Sequence, residues 1–282
     1  MFEPKNRDVD LRETFSASHG ILGAQRVVKC SKCGLIYVCP RLNQEIVVGA
    51  YEDSADELYV SQGAARVRTF DKCARFVAKY EKPEGRLLDV GAAGGFFLKS
   101  AAKLGWKVEG VEPSRWLAEW GNKNLGVTIH QGTLERMTFD PATFDVITMW
   151  DSIEHMEDPL QGLRDAGRFM KPGGLLVINT PDIGSIWARL SGQNWWFLLS
   201  HHLYYFTPKT MTMMLNKAGF DVVAIRRHYQ SLELGHLIKM VGLYSKPISK
   251  LAGAVAGALR IDGWVIPYYA SQMNVIARKA KG

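Results

Sequence analysis

The feature that most constrains this chain is an apolar run that ends in an acid and a cluster of small residues, Leu87-Leu88-Asp89-Val90-Gly91-Ala92-Ala93-Gly94-Gly95. A short apolar run bounded by glycines reads as a strand that turns sharply, and Phe96–Leu104 behind it reads as a helix. Small residues in the turn let a ligand approach the backbone, and the helix offers N–H groups that lack intrahelical partners. From here strand-like and helix-like segments alternate. Further strands are predicted at Lys107–Val111, Val127–His130, Phe144–Trp150, Leu175–Asn179, Asp221–His228 and Met273–Arg278. Helices are predicted at Pro113–Asn122, with Pro113 in its first turn, at Leu160–Met170, stopped by Lys171-Pro172-Gly173-Gly174, and at Thr210–Ala218. Upstream, Val67, Phe70, Ala74, Val77 and Ala78 make a helical stripe, with Cys73 in the core beside it. Such alternation is the mark of an α/β fold, a doubly wound, seven-stranded, mostly parallel sheet with helices on both faces.

Open sheets of this kind bind ligands outside the carboxyl ends of their strands, where the glycine turn lies. A dinucleotide loop shares the strand–glycine–helix plan, but its G-x-G-x-x-G spacing is not met: Ala93 and Phe96 stand at the second and third glycine positions. Asp89 ahead of the first glycine suits a cationic, phosphate-free ligand better than a pyrophosphate. Glu112 follows the second strand, 21 residues beyond Gly91, where a carboxylate can accept hydrogen bonds from both hydroxyls of a ribose.

Taken in order, these pieces resemble the class I (Rossmann-like) S-adenosylmethionine-dependent methyltransferases, in particular the group of the ubiquinone-biosynthesis O-methyltransferases. The resemblance rests on Leu87–Gly95, Gly110-Val111-Glu112-Pro113-Ser114, Phe144-Asp145-Val146-Ile147 and Asp151-Ser152-Ile153-Glu154-His155-Met156-Glu157-Asp158-Pro159. It continues through Met170–Gly174, His202-Leu203-Tyr204-Tyr205-Phe206-Thr207 and Ala218-Gly219-Phe220, and covers about residues 86–228. Ala93 departs from it, since the family usually has its second glycine there. The resemblance implies that Asp89 and the backbone of Gly91, Ala93 and Gly95 hold the methionine part of S-adenosylmethionine, and of its product S-adenosylhomocysteine. Glu112 with Pro113 would hold the ribose, Gly132-Thr133-Leu134 would border the adenine, and Trp150 and Asp151 would face both cofactor and acceptor.

Methyl transfer to a hydroxyl also needs a proton acceptor. His155 is a candidate, because an imidazole titrates near neutrality; the alternative is that it only caps the helix beginning near Asp158. Asp151, Glu154 and His155 form an acid-x-x-acid-His cluster, and in the ubiquinone-biosynthesis relatives a similar cluster can bind a divalent metal; oxygen and imidazole ligands would suit magnesium, manganese or zinc. His201 and His202 lie between Trp187, Trp195, Trp196 and Phe197 and the Tyr204-Tyr205-Phe206 run. His202 aligns with the family's His-Leu-x-x-Phe pattern and is the better candidate to face the active site. The aromatics could clasp a flat or lipidic acceptor, or only anchor a lid.

The 282-residue chain divides into an appendage, 1–60, and a methyltransferase domain, 61–282, with a helical insertion at about 232–269. Cys30-Ser31-Lys32-Cys33 looks like one knuckle of a zinc ribbon, half of a tetrahedral site. No second Cys-x-x-Cys accompanies it, and Cys39 and His19 lack convincing spacing, so a metal-free remnant is expected. Tyr51 and Cys39-Pro40-Arg41 fit the family pattern beside the active site. No run of about 20 apolar residues occurs, the first residues lack the order of a secretory signal, and four cysteines make no disulfide framework. A reducing cytoplasm is the expected compartment. Of the net charge of +7, residues 220–282 supply +6, from 9 basic and 3 acidic side chains. The insertion carries Ile248, Leu251, Val255, Leu259 and Ile261 at helical spacing among Lys246, Lys250 and Arg260. It could rest on the inner face of an anionic membrane, make a dimer contact, or pack into the core.

The leading reading is methylation, at oxygen, of a small-molecule, glycan or lipid-linked acceptor. A catalytically silent cofactor-binding module is the alternative, which intact Asp89 and Glu112 disfavour. A nucleic-acid methyltransferase is disfavoured because Asp151-Ser152-Ile153-Glu154 stands where an Asn/Asp-Pro-Pro-aromatic motif would. Elemental analysis of the purified chain is expected to find less than one zinc per molecule, and stoichiometric zinc would overturn the metal-free reading of Cys30 and Cys33.

Overall fold

A computed structural model of the chain describes residues 25–41, 56–242 and 245–280. His19 and Tyr51, singled out above, lie outside the described residues. A hairpin comes first, β1 (Val27–Lys29) with β2 (Ile36–Val38), and then helices α1 (Glu57–Ser61) and α2 (Gly63–Val77). The alternating part runs β3 (Arg86–Val90), α3 (Phe96–Ala102), β4 (Lys107–Glu112), α4 (Arg115–Leu125), β5 (Thr128–Gln131), β6 (Phe144–Trp150), α5 (Pro159–Phe169) and β7 (Met170–Pro181). It closes with α6 (Ile186–Ser191), β8 (Tyr204–Tyr205), α7 (Pro208–Lys217), β9 (Phe220–Glu233), α8 (Leu234–Val241), α9 (Lys246–Ala258) and β10 (Val265–Lys279).

Seven strands join in the order β5-β4-β3-β6-β7-β10-β9. The pairs from β5 to β7 are parallel and β10 runs against both its neighbours. The fully buried runs Leu87-Leu88 and Leu175–Ile178 explain the position of β3 and β7 near the middle, since a strand covered on both faces is apolar throughout. One face of the sheet packs Leu88, Ile147, Leu176 and Val275 against Leu163, Phe169, Met211 and Leu215 of α5 and α7. The other packs Leu87, Val146 and Val177 against Ala74, Val77, Leu98 and Ala118 of α2, α3 and α4.

Several boundaries differ from the sequence reading. Pro113 lies before α4 rather than in its first turn, because Ser114 is the cap and its hydroxyl accepts from Leu117 N–H. The Lys171–Gly174 segment is not a loop after α5. The helix ends at Phe169 and β7 begins at once, with a bulge between Phe144/Met170 and Val146/Leu175 taking up the extra residues. The last two strands run on to Glu233 and from Val265, because past the sheet they pair with each other. The insertion between them thus narrows to the two helices α8 and α9.

A second, three-stranded sheet joins β1, β2 and β8. Ile36 pairs with Tyr205 and Tyr37 with Tyr204, and Val38 N–H donates to Leu203 O at 2.9 Å. Beneath it Val27, Ile36, Val38, Leu198 and Tyr205 close around Trp195, which is buried. The 195–203 segment has little regular structure of its own, so this small core fixes it. Trp195→Ala is expected to lower stability by about 3–5 kcal/mol, the usual result of removing a large buried ring, measured as a fall in the urea midpoint.

Candidate active site

The carboxyl ends of β3, β4, β5 and β6 open on one cavity of about 400 Å³, ample for a cofactor-sized ligand. Asp89, Gly91, Ala93, Glu112, Pro113, Thr133, Leu134, Trp150, Asp151, His155 and His202 all line it. Gly95 does not. It begins α3 at φ +80° and packs where a Cβ would stand 2.8 Å from Val127 Cγ2, so its small size serves helix–strand packing. Gly91 is at φ +77°, and a Cβ there would meet Ser152 Cβ at 2.7 Å. The two loops that frame the cavity therefore touch through a glycine.

Three carboxyl groups face this space and each accepts a hydrogen bond from the protein. Asp89 Oδ1 accepts from the Thr148 hydroxyl at 2.7 Å, and burial pushes its pKa up to about 8. Glu112 accepts from Ala93 N–H at 2.8 Å and from Ser114 N–H at 2.9 Å, and burial takes it to about 7. Ala93 meets Glu112 from a left-handed conformation, φ +44°, an unusual cost for a residue other than glycine. Asp151 is also left-handed, φ +48°, and burial raises it to about 7. Its Oδ1 accepts from Gln272 Nε2 at 2.5 Å. Gln272 also donates to Asn179 Oδ1 at 3.2 Å, and Asn179 donates to Asn274 Oδ1 at 2.7 Å, so a buried amide chain stands behind the carboxylate.

A three-residue turn at Ile153–His155 follows Asp151. With three residues per turn, adjacent side chains leave in directions about 120° apart. Glu154 accordingly turns into the interior, where its Oε2 accepts from the Thr180 hydroxyl at 3.0 Å, while His155 turns to the cavity. Asp151, Glu154 and His155 therefore do not come together as a metal-ligand set. Among the described residues the group that meets is His155, His201 and His202, with nitrogen atoms within 4.8 Å of one another. His155 does not cap α5 either; Asp158 does, accepting from Leu160 and Gln161 N–H at 3.0 Å each.

His155 Nδ1 lies 2.9 Å from His201 O, and His202 Nδ1 lies 2.8 Å from Phe197 O. A carbonyl can only accept, so each Nδ1 carries the proton and each Nε2 keeps its lone pair. Burial lowers His155 to about 4. Burial and the two neighbouring imidazoles hold His202 well below its ordinary value. Both are therefore neutral at physiological pH.

Sequence reasoning missed part of the lining. Tyr59, Arg66 and Phe70 enter from α1 and α2, and behind the lining Gln272 reaches from the last strand to Asp151; His201, the less favoured of the two adjacent histidines in the sequence, also lines the cavity. The Arg66 guanidinium sits 3.6 Å from the centre of the Tyr59 ring, and its Nε donates to Tyr59 O at 2.9 Å. Its only sequence signal is its place next to the Val67 stripe. Cys30 and Cys33 lie in the β1–β2 turn, away from the cavity. N–H groups of Cys33 and Lys32 hold the Cys30 thiol below its ordinary pKa, and no further Cys, His, Asp or Glu among the described residues completes a group of three with them.

The residues present fit S-adenosylmethionine. Three desolvated carboxyls call for a cation, and the buried Trp150 indole N–H and Ser152 hydroxyl have no partner within the described protein, although both line the cavity. A family model described as a methyltransferase domain matches residues 61–225. The ubiquinone biosynthesis O-methyltransferase of Cereibacter sphaeroides is 30% identical over 150 residues, which cover 49% of this chain and 61% of that enzyme. The enzyme of the same description from Colwellia psychrerythraea is 34% identical over 102 residues, 34% of this chain and 41% of that enzyme. The match thus spans less than two thirds of either relative's length. Among solved structures, a SAM-dependent methyltransferase of Thermotoga maritima superposes with a TM-score of 0.52 at 23% identity, over 79% of this chain and 94% of that one. One from Archaeoglobus fulgidus gives 0.55 at 18% identity, over 79% and 100%. These two likenesses show a shared fold.

The buried carboxyls set a pH dependence. A carboxyl whose folded pKa is raised stabilises the fold fully below its unfolded pKa and loses that contribution as pH rises through the folded value. With Asp89 at about 8 and Glu112 and Asp151 at about 7, the ligand-free protein is expected to lose melting temperature between about pH 4 and about pH 8, and to level off above. Asp89→Asn should flatten that fall, as measured by thermal melts across the range; a slope unchanged by the substitution would contradict the assignment.

Proposed function

This chain belongs to the methyltransferase-domain family and is a class I SAM-dependent methyltransferase; from that premise we propose that it methylates an oxygen of a small-molecule, glycan or lipid-linked acceptor. Residues 61–282 form the catalytic domain in this reading, and 1–60 an appendage whose hairpin holds the histidine segment in place. The observation that carries the proposal is one cavity lined by Asp89, Glu112 and His155, whose Nδ1 is engaged by His201 O.

S-adenosylmethionine supplies an electrophilic methyl group on a cationic sulfur. Asp89 and the Gly91–Ala93 backbone hold its amino-acid end, and Arg66 offers a fork for the carboxylate. Glu112 receives the ribose hydroxyls, with Pro113 beside it, and Thr133 and Leu134 border the base. Trp150 walls the pocket, its ring 5.1 Å from that of Phe97. Asp151, fixed by Gln272, stands between cofactor and acceptor. His155, held in one tautomer by His201 O, accepts the acceptor's proton at Nε2, and His202 positions the acceptor beside it.

Charge favours this division of labour. Methyl transfer removes one positive charge from the cavity, and proton transfer to His155 creates another. The field of the three carboxylates that favours a cationic ligand therefore also favours the imidazolium, and offsets the low basicity that burial imposes on His155. The proximity of cofactor and acceptor supplies much of the remaining acceleration.

S-adenosylhomocysteine is expected to raise the melting temperature, and Glu112→Ala to abolish the rise. His155→Ala should leave that rise intact yet cut turnover by about 10²–10⁴, the usual contribution of a positioned base, measured with labelled methyl donor on an acceptor identified by mass in cell extracts. Absence of any wild-type stabilisation would sink the cofactor assignment, and unchanged turnover in His155→Ala would remove it from the chemistry.

A further inference from the structure

Gln272 is the first residue of β10 to pair with β7, opposite Pro181. Pairing with β9 continues beyond it, from Tyr269 opposite Tyr229 out to Val265 opposite Glu233. Those five pairs, at about 3.4 Å per residue, carry a two-stranded ribbon some ~17 Å past the carboxyl edge of the sheet. That is the edge on which the cavity opens, and α8 and α9 sit at the ribbon's tip.

Among the described residues, helix α9 packs along one side against α8. Ser249 Oγ donates to Ile238 O at 2.8 Å, Gly253 packs near Ile238, and Ala256 is buried. On another side Ile248, Leu251, Val255 and Leu259 follow at steps of three, four and four, which places them in one stripe. All four are exposed, Leu251 at 70% and Leu259 at 63%, and Trp264 just after them is 63% exposed. Helix α6 rises from the same edge, where Ser185 Oγ lies 2.6 Å from Ser271 Oγ at the root of the ribbon. It exposes Ile186, Trp187 and Leu190, the last at 73%.

The charges around these helices are predominantly positive, Glu233 and Asp262 at the two ends of the insertion being the acidic exceptions. Residues 234–261 contain Lys239, Lys246, Lys250 and Arg260 and no acidic residue, and residues 183–194 contain Arg189 alone among charged residues. A second copy of the chain on this face would set lysine against lysine. An exposed aliphatic stripe leading to an exposed indole, with four cations and one acid, Asp262, over residues 234–264, matches an anionic bilayer interface instead.

We propose that α9 and α6 form a docking surface for an anionic membrane, turning the carboxyl edge of the sheet, and with it the cavity, toward the lipid. An acceptor anchored in that bilayer would then reach the site without leaving it. Docking itself does not depend on methyl transfer.

The test is sedimentation of the full chain with vesicles of phosphatidylcholine alone or mixed with phosphatidylglycerol. Binding is expected to the mixed vesicles only, and to weaken as salt is raised. The double variant Leu251→Glu, Val255→Glu should lower the partition coefficient at least ~tenfold. Lys246→Ala and Lys250→Ala should each lower it about fivefold. All variants should keep the wild-type melting shift with S-adenosylhomocysteine, which separates loss of docking from loss of fold or of the cofactor site. Equal binding to uncharged vesicles, or undiminished binding by the double variant, would overturn the proposal. So would a wild-type chain that stays unbound at low salt while forming a dimer that Leu251→Glu dissociates, since the face would then belong to a second copy.

Discussion

Asp89, Glu112 and Asp151 stop at one edge of the sheet with aromatic rings and backbone around them in place of water, and much of the surrounding architecture follows from keeping them there. A desolvated carboxylate is unstable unless it is hydrogen-bonded, protonated or given a cation. The fold supplies the first remedy from other strands: Thr148 of the adjacent β6 to Asp89 of β3, and Gln272 of β10, across β7, to Asp151 at the end of β6. Glu112 works the other way, using both oxygens to fasten the β3 loop and the start of α4 to the end of β4. The strand order β4-β3-β6-β7-β10 places each donor within reach. What the protein leaves unprovided is the cation, and that deficit is what selects the ligand.

The histidine side of the cavity depends on a different kind of support. His201 and His202 lie on a segment outside the main sheet, tied to the turn after β6 by Leu203 N–H donating to Glu154 O at 2.8 Å and by His155 Nδ1 donating to His201 O at 2.9 Å. Their position comes from the β1–β2 hairpin, which adds β8 as a third strand and buries Trp195 beneath it. Arg41, directly after the hairpin, donates to Tyr204 Oη at 2.8 Å and to Glu157 O at 3.0 Å, joining hairpin, β8 and the His155 loop. The turn at Cys30–Cys33 thus contributes to the site through the strands it connects, whether or not the thiols hold a metal.

The strands of the central sheet were legible because burial on both faces leaves apolar runs in the sequence, and because glycine and acid positions at strand ends answer to local geometry; their order in the sheet was not. Asp89 and Glu112 were legible for the same reason. The direction of Glu154 was not: the spacing of Asp151, Glu154 and His155 suggests a common face, yet one left-handed residue and a tight turn send Glu154 inward. Arg66 and Tyr59 were hidden because their role comes from where α1 and α2 pack, which no local pattern records. Gly95 was misleading in another way, since a glycine demanded by helix packing looks the same in sequence as one demanded by a ligand.

Pairing of the last two strands links the site to the surface. Gln272, which fixes Asp151, is also where β10 leaves β7 and continues with β9 alone. The ladder breaks between Tyr269 and Gln272, and Ser271 there is left-handed, φ +65°, so the bend between ribbon and sheet is built at that point. Whatever the exposed helices rest upon, their attachment runs through the same few residues that hold Asp151 in its strained conformation, and surface contact and site geometry share one structural support.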